Sequence, residues 1–331
     1  MADMTYREAL RRALDDELAR DPDVFLMGEE IGRFEGSYKV TAGLWEKYGP
    51  VRVRETPISE EGFIGAGIGA AMMGLRPVVE IMTINFILVA MDQVINHAAK
   101  IRYMFGGTVG VPLVIRTPAG AGAQLTAQHS QSLEGWFAGC PGLKVVAPAS
   151  PADAYGMLKT AIRDDDPVLF VENLVMYNVT GPVPDDPGHT VPFGSAAVVR
   201  EGTDLTIVAH SYTVQRALRV ADILSRDGIE AEVVDLRSLR PLDAETVAES
   251  VRKTNRALIA EEGWSTYGVG AELAARIHRL CFDDLDAPVE RVGGAEVPMP
   301  YSKPLELAAL PLEAKIEAAA RGLLAESGIT A

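Results

Sequence analysis

The chain has 331 residues, of which 48% are hydrophobic and 23% charged, so we expect a globular α/β protein of two domains. Its formal net charge of −15 argues against nucleic acid as a partner, because phosphates need a basic surface. Cys140 and Cys281 have no metal-ligand spacing and indicate a reducing compartment. The N-terminus is amphipathic and charged, and the most apolar run, "IMTINFILVAM", is about half of a membrane span, so we predict a cytoplasmic protein without a membrane partner.

The first half of the chain alternates strands with helices. Thr5 and Glu8 have capping-box spacing, which predicts a first helix that ends near Arg20. The apolar strand "VFLMGEE" follows, and a later helix is predicted from about Phe86 to Arg102. Continuous Val/Ile/Leu strands separated by helices are typical of a mostly parallel sheet with helices on both faces. We therefore predict an α/β domain over residues 1–177.

The pattern lapses in "NVTGPVPDDPGHTVPFG", which is rich in Pro, Gly and Asp and predicts a linker over residues 178–194. A second series of strands and helices begins with "DLTIVAHS" and ends in a helix near Ala325. It indicates a smaller α/β domain of about four or five strands over residues 195–331. The predicted fold class is thus α/β, with two domains that each contain a mostly parallel sheet covered by helices.

The stretch "RETPISEEGFIGAGIGAAMMG" places two carboxylates before a helix of small apolar residues. Such a helix is expected to be buried, and an ionised carboxylate is rarely buried without a partner. Ser59 is a good N-cap, which would put Glu60 and Glu61 in the first turn. There the helix dipole stabilises negatively charged side chains. The alternative is that Glu60 exchanges a proton with a ligand nitrogen in a dry pocket. The residues alone leave both interpretations open.

Gly65 to Ala70 match the G-x-G-x-x-A form of the dinucleotide fingerprint, which would indicate a nicotinamide oxidoreductase. The fingerprint requires its glycines in the turn directly after a strand, whereas here the strand ends near Glu55, roughly ten residues earlier. Gly65 and Gly69 are spaced i, i+4, which instead predicts close packing of this helix against another helix.

His129 is the histidine with the best position for chemistry. It follows a strand and a glycine-rich loop and precedes a helix, in a region where parallel sheets place their active sites. Helix capping is its alternative role. We predict that His97, His189 and His278 are structural, whereas His210, at the end of a strand, fits either role.

Three aspartates follow a predicted helix in "AIRDDDP", from Ala161 to Pro167. Negative charges at the C-terminal end of a helix oppose its dipole. The stretch is therefore either a solvated turn or a site where backbone carbonyls and carboxylates hold a cation.

The chain resembles the β subunits of the thiamine-diphosphate-dependent 2-oxo-acid dehydrogenases in several long stretches: "RETPISEEGFIGAGIGAAMMGLRPVVEIMTINF", "DQVINHAAKIRYMFGG", "AQHSQSLEGWFAGCPGLKVVAP", "AIRDDDPVLFVEN", "EVVDLRSLRPLD" and "PMPYSKPLE". The resemblance implies a transketolase-like pyrimidine-binding domain followed by a transketolase C-terminal domain. It also implies an active site shared with an α subunit, which holds the diphosphate of the cofactor and Mg²⁺. The sequence has no GDG with a downstream Asn, the diphosphate signature of the family, as expected of a β subunit.

Glu60 occupies the position of the glutamate in the family's T-P-(I/L)-x-E motif. In the family this residue hydrogen-bonds N1′ of the aminopyrimidine and favours the imino tautomer, whose 4′ nitrogen removes the proton from C2 of the thiazolium. Phe86 lies where the family stacks an aromatic ring on the pyrimidine, and Ile58 and Met82 lie where neighbouring residues line it. From the residues alone, these three side chains could equally be core.

The resemblance implies two further sites. His129 matches the active-site histidine, which is thought to assist substrate binding and reductive acyl transfer to lipoyl-lysine. A potassium site described in some members, formed mainly by backbone oxygens, corresponds to Leu113, Ala161, Ile162, Asp164 and Asp166. The last of these stands where other members have Asn, which keeps an oxygen acceptor there.

Together these features predict the β subunit of an α₂β₂ decarboxylating component that acts on a 2-oxo acid and is active only with its α subunit. "TPISE" with "TINF" is more similar to the pyruvate enzymes, so pyruvate is the expected substrate, and acetoin or a branched-chain 2-oxo acid is the alternative. The acyl group would pass to the lipoyl domain of a dihydrolipoyl acyltransferase core, to which the acidic chain would dock. A non-catalytic α/β scaffold subunit is the alternative from another class.

Overall fold

The computed structural model describes residues 2–326, and the chain divides into two compact units. The first unit contains Met1–Ala119 and Trp136–Phe193. The second contains Gly120–Gly135 and Gly194–Ala331.

The first unit contains most elements of the N-terminal half. Its strands are β1 (Ala2–Thr5), β2 (Val24–Gly28), β3 (Val53–Glu55), β4 (Arg76–Glu80), β5 (Val114–Ala119), β6 (Lys144–Val146), β7 (Val168–Asn173) and β8 (Thr180–Val183). The helices of this half are α1 (Tyr6–Arg20), α2 (Leu44–Arg52), α3 (Glu60–Met72), α4 (Ala99–Met104), α5 (Glu134–Ala138), inside which the division falls, and α6 (Pro151–Arg163). Shorter 3₁₀ helices span Ile84–Ala90 and Leu174–Asn178, and a π-helix spans Gln93–Ala98.

Six strands of this unit form a parallel arrangement in the order β6-β7-β5-β4-β2-β3. Every residue of β2, β5 and β7 is buried, and these strands are rich in Val, Leu, Ile and Phe. Strands of this composition are buried when helices cover both faces of a parallel sheet. The predicted α/β class, with mostly parallel sheets flanked by helices, is confirmed.

The first helix begins and ends as predicted. Thr5 Oγ1 accepts the N–H of Glu8 at 3.2 Å, and Glu8 Oε2 accepts the N–H of Thr5 at 2.8 Å, so both halves of the capping box are present. By contrast, the helix predicted from Phe86 to Arg102 is helical throughout but is not one regular α-helix. This region consists of a 3₁₀ helix, a π-helix and α4, because the N–H of Phe86 bonds three residues back to Thr83 and the later turns widen.

The small-residue helix α3 packs closely through two of its glycines. A Cβ at Gly67 would lie 3.0 Å from Val79 Cγ2 of β4, and a Cβ at Gly65 would lie 3.2 Å from Gln93 Oε1 of the π-helix. A Cβ at Gly69 would meet none of the described atoms within 4 Å, so the predicted contact is right for Gly65 and wrong for Gly69. All three lie inside a helix rather than in the turn after β3, which removes the geometry that the dinucleotide interpretation requires.

The division differs from the predicted domains in two places. Residues 120–135 belong to the second unit, although the predicted first domain ran without interruption over 1–177. Contacts distant in sequence hold this segment, and they cannot be read from its local pattern. The predicted linker, 178–194, contains β8 and stays in the first unit up to Phe193, because its backbone pairs antiparallel with β1.

The second unit contains the remaining elements. Its strands are β9 (Ala197–Arg200), β10 (Leu205–Ala209), β11 (Ala231–Asp235), β12 (Ser238–Arg240), β13 (Ala257–Trp264) and β14 (Glu290–Gly294). Its helices are α7 (Tyr212–Ser225), α8 (Ala244–Thr254), α9 (Val269–Cys281), α10 (Lys303–Ala309) and α11 (Glu313–Glu326). The sheet order is β14-β13-β10-β11-β9, and only the pairing of β9 with β11 is antiparallel among these described strands. Within residues 2–326, we find no helix whose length and apolar content suit a membrane crossing.

Candidate active site

The residues predicted to bind the cofactor follow adjacent strands of the first unit. β3, β2 and β4 are neighbours in the sheet; Glu60 follows β3, and Met82 and Phe86 follow β4. Because the carboxyl ends of parallel strands meet at one edge of a sheet, the strand order gathers these side chains where α/β sheets bind ligands.

The two acids of the first turn of α3 differ in their surroundings. Glu60 is buried, with 6% of its surface exposed, whereas Glu61 is exposed. Ser59 does not act as the predicted side-chain cap, because its hydroxyl makes no capping hydrogen bond. A favourable interaction with the helix dipole explains Glu61 at the surface, but it does not explain why the Glu60 carboxyl is buried.

Glu29, directly after β2, is a second buried carboxyl at this site, and it lies close enough to Glu60 for the charge of that carboxyl to act on it. Its burial, then the negative charges of Glu60 and Glu30, raise the pKa of Glu29 to about 7. A neighbouring negative charge disfavours the ionised form of a buried carboxyl, so Glu29 takes up or releases a proton near neutral pH. The sequence interpretation missed Glu29; its signal was an acid placed directly after the buried strand "VFLMG".

The pair fits a basic ring nitrogen. Glu29 Oε1 is buried and has no hydrogen-bond partner among the described residues. Buried polar atoms are normally hydrogen-bonded, so the site is short of a donor. A heterocyclic nitrogen that takes up a proton supplies one, and the aminopyrimidine of thiamine has such a nitrogen.

The apolar residues predicted to line the pyrimidine remain partly accessible. Ile58 is 80% exposed, which excludes the alternative that it is core. Met82 and Phe86 are half-buried, and Phe86 lies on the 3₁₀ helix after β4. Each can therefore present apolar surface to a ligand ring.

His129 belongs to the second unit, whereas Glu60 belongs to the first. The His129 side chain is exposed, and its backbone N–H donates to Thr126 O at 3.2 Å in a turn. Because α5 begins only at Glu134, His129 does not cap that helix. The other histidines have structural contacts: His97 with Asp92, His189 stacked on Tyr155, His278 with the carbonyl of Ala274, and buried His210 with Glu134.

An arginine contacts the predicted potassium site. Arg76 Nη1 donates to the carbonyl oxygens of Ile162 at 3.1 Å and Asp164 at 3.0 Å. Carbonyl oxygens suit a hard cation, but here the guanidinium already supplies the positive charge. A potassium ion at these two oxygens would lie beside the guanidinium charge, so the arrangement as it stands does not favour the ion.

The carboxylates of that site are also paired. Asp166 Oδ1 accepts from Arg102 Nη1 at 2.6 Å, and Lys144 pairs with both Asp164 and Asp166. Burial of Asp166 opposes its ionisation, but the hydrogen bonds from Arg102 and Lys144 outweigh burial and lower its pKa. The carbonyl oxygens of the remaining two residues, Leu113 and Ala161, accept the N–H groups of Val168 and Asp164. Within residues 2–326, no three His, Cys, Asp or Glu side chains gather as a metal site.

Two family models match the chain. The transketolase pyrimidine-binding domain matches residues 2–178, and the transketolase C-terminal domain matches residues 194–316. The fold is also similar to that of a solved split-gene transketolase, described as an inactive beta4 tetramer, with a TM-score of 0.79 over 98% of this chain and 99% of that one. The sequence identity to that structure is 24%, so this likeness shows the fold alone.

The curated relatives are much more similar in sequence. Pyruvate dehydrogenase E1 component subunit beta-1, mitochondrial, of Oryza sativa subsp. japonica is 53% identical over 96% of this chain and 86% of its own length. The corresponding subunit beta of Drosophila melanogaster is 54% identical over 93% of this chain and 86% of its own length. That of Bos taurus is 52% identical over 92% of this chain and 86% of its own length.

These relatives show that the predicted cytoplasmic location is wrong, because all three are named as mitochondrial proteins. Cys140 and Cys281 are free and buried, but free thiols indicate only a reducing compartment and do not distinguish cytoplasm from organelle. The amphipathic pattern near the N-terminus reflects packing, since Leu10 and Leu14 of α1 are fully buried in the first unit.

The family models together cover most of the chain, and the relatives are more than half identical to it over more than nine-tenths of its length. The chain belongs to the transketolase-like, thiamine-diphosphate-dependent family of pyruvate dehydrogenase E1 β subunits.

Proposed function

We propose that this chain, together with an α subunit, decarboxylates pyruvate with thiamine diphosphate. The observation that carries the proposal is the pair of buried carboxyls, Glu29 and Glu60, at the carboxyl ends of β2 and β3. Glu29, with a pKa of about 7, a second buried carboxyl beside it and one buried oxygen unsatisfied, suits proton exchange with a ring nitrogen.

Five residues of this chain have defined roles in the proposed reaction. When bound, thiamine diphosphate supplies the carbon nucleophile that attacks the keto group and the electron sink for decarboxylation. Glu60 holds a proton at N1′ of the aminopyrimidine, and the neighbouring Glu29, whose pKa burial raises to about 7, exchanges that proton with Glu60. Phe86 stacks on the pyrimidine ring, and Ile58 and Met82 exclude water around it.

The remaining parts of the proposal concern partners and ions. The α subunit holds the diphosphate and Mg²⁺, in keeping with the missing GDG signature in this chain. The exposed His129 assists acetyl transfer to the lipoyl domain of an acyltransferase core, which docks on the acidic chain; docking that is insensitive to salt counts against the electrostatic part. Potassium would bind weakly at the Asp164 site, because the Arg76 guanidinium already places a positive charge at the same carbonyl oxygen.

The test is pyruvate decarboxylation by this chain co-expressed with its α subunit, followed with an artificial electron acceptor, with and without thiamine diphosphate and Mg²⁺. Glu60→Gln keeps the size of the side chain but removes its ability to exchange a proton. We expect a loss of about 10²- to 10⁴-fold in kcat. Glu61→Gln is the matched control, because Glu61 lies in the same turn but is exposed, and we expect near-normal activity.

If Glu60→Gln and Glu61→Gln are both near normal in an enzyme that binds the cofactor, the Glu60 carboxyl exchanges no essential proton and the proposed mechanism is wrong. Comparing kcat/KM for pyruvate, acetoin and a branched-chain 2-oxo acid then decides among the substrates. A higher value for either alternative transfers the assignment to that substrate.

A further inference from the structure

The segment that carries His129 has little regular structure of its own. We call residues 120–135 the histidine segment; only its last two residues begin α5. Gln124 and Thr126 adopt the left-handed backbone conformation, with φ of +56° and +64°. Residues with a Cβ rarely adopt this conformation and keep it only when their surroundings hold them there. Support from outside the segment is therefore required.

Glu306 of α10 supplies much of that support. It is 1% exposed, and its Oε1 accepts the N–H of Gly122 at 2.9 Å and the N–H of Gln124 at 3.0 Å. One buried oxygen thus fixes the backbone on both sides of Ala123 and holds Gln124 in its strained conformation.

Two other carboxyls of the second unit hold the ends of the same segment. Glu262 Oε1 accepts the N–H of Ala121 at 2.6 Å, and at the far end Glu134 Oε1 lies 3.1 Å from Nε2 of the buried His210. Of these three carboxyls, Glu306 accepts two backbone N–H groups of the segment, and Thr126 Oγ1 adds a hydrogen bond of 3.5 Å to Met299 O. Glu306 therefore holds more of the segment's backbone than either of the other two carboxyls; it is the last residue of the stretch "PMPYSKPLE", in which the sequence alone assigned no site residue.

We propose that Glu306 is a positioning residue: it fixes the backbone of the histidine segment and thereby sets the place of His129. The consequence for activity rests on the proposed function, since it requires that His129 contacts the substrate or the acyl acceptor. The hydrogen bonds to Gly122 and Gln124 can be tested without that assumption.

The first measurement is hydrogen–deuterium exchange across residues 120–135 in the assembled enzyme. In Glu306→Ala, we expect the Gly122 and Gln124 amides to exchange at least tenfold faster, since they lose their acceptor. In Glu306→Gln, the amide oxygen still accepts both N–H groups, so exchange should return close to wild type. Glu232→Ala is the matched control: Glu232 is also 1% exposed and accepts a backbone N–H, that of Gly202 at 3.2 Å, outside the segment.

The second measurement is a double-mutant cycle with His129→Ala. Misplacement of a reacting group by about 1 Å can cost about 10²-fold, so Glu306→Ala alone should lower kcat/KM by ten- to a hundredfold. In the His129→Ala background, the same change should cost less than twofold, because Glu306 acts through His129. A purely structural defect would lower kcat/KM by the same factor in both backgrounds.

Either of two results overturns the proposal: unchanged exchange at Gly122 and Gln124 in Glu306→Ala, or independent effects of Glu306→Ala and His129→Ala on kcat/KM. Failure of the proposed function is a separate outcome. If the assembled wild-type enzyme has no activity on pyruvate, the exchange measurement still decides for or against Glu306 as the anchor of the segment.

Discussion

Two pairs of carboxyls in the first unit are buried to a similar extent but have different surroundings. Glu80 on β4 and Glu172 on β7 both contact Arg116, which lies on β5 between these strands. Arg116 is 2% exposed. Arg116 Nη2 donates to Glu172 Oε2 at 2.8 Å, and Tyr177 Oη donates to the same oxygen at 2.6 Å. This cluster supplies its own cation and its own donors.

The pair at the carboxyl ends of β2 and β3 lacks that compensation. Among the described residues, no Lys or Arg pairs with Glu29 or Glu60, and the pKa of Glu29 rises to about 7. The same sheet therefore contains buried acids that are paired with a cation and buried acids that are not. Carboxyls with a cation between them hold strands together, whereas carboxyls without one remain ready to exchange a proton with a ligand.

Removing the cation is expected to have the largest effect. Arg116→Met leaves Glu80 and Glu172 buried and uncompensated, so we expect a loss of about 3–5 kcal/mol in the free energy of unfolding, measured with urea at pH 7.5. The loss should shrink at lower pH, because burial raises the pKa of Glu80 and favours its protonated form.

The control for this change is Arg276→Met. Arg276 forms an exposed i, i+4 pair with Glu272 at 2.7 Å, and its loss should cost less than about 0.5 kcal/mol. If both arginine variants unfold at the same urea concentration, the buried cation does not stabilise the sheet and the comparison fails.

Removing the uncompensated acid should have a smaller effect of opposite sign. The native pKa of Glu29 is raised from 4.5 to about 7, so the native state binds more protons than the unfolded state in this range and loses stability as the pH rises through it. Glu29→Gln removes this cost. We expect about 1–3 kcal/mol of added stability at pH 8 and little change near pH 4.5, measured as Tm in scanning calorimetry.

The same variant should lose at least about tenfold in pyruvate decarboxylation, because Glu29 no longer exchanges a proton with Glu60. Glu30→Gln is the matched control, since Glu30 is adjacent and exposed and contributes only a charge. A Glu29→Gln enzyme that is less stable than wild type at pH 8 contradicts the raised pKa.

The smallest effect concerns potassium. Arg76 already occupies the carbonyl oxygens of Ile162 and Asp164, so replacing NaCl by KCl at constant ionic strength should shift the wild-type Tm by less than about 1 °C. In Arg76→Met these oxygens lose their donor, and a potassium-specific rise in Tm should appear. A clear potassium effect in the wild type means that the ion binds in spite of the guanidinium and contradicts this prediction.

Local patterns were sufficient for much of the fold. The capping box of Thr5 and Glu8 and the continuous apolar strands depend on residues close together in the sequence, so the first helix and the parallel α/β class could be predicted. The family motif around Glu60 likewise lies in one stretch. The change of helix type after Thr83 could not be predicted. The helix passes from 3₁₀ to π to α hydrogen bonding, and no distinctive residue marks where it changes.

The sequence by itself therefore determined the fold class, the family and the candidate Glu60. Only the tertiary structure decided which residues distant in the chain meet: Glu29 joins Glu60 because β2 lies beside β3, Arg76 reaches the end of α6, and Glu306 holds the histidine segment in the second unit. The physical reason is that helix and strand patterns depend on neighbours in the chain. The surroundings of a buried charge depend on strand order and on packing across the whole unit.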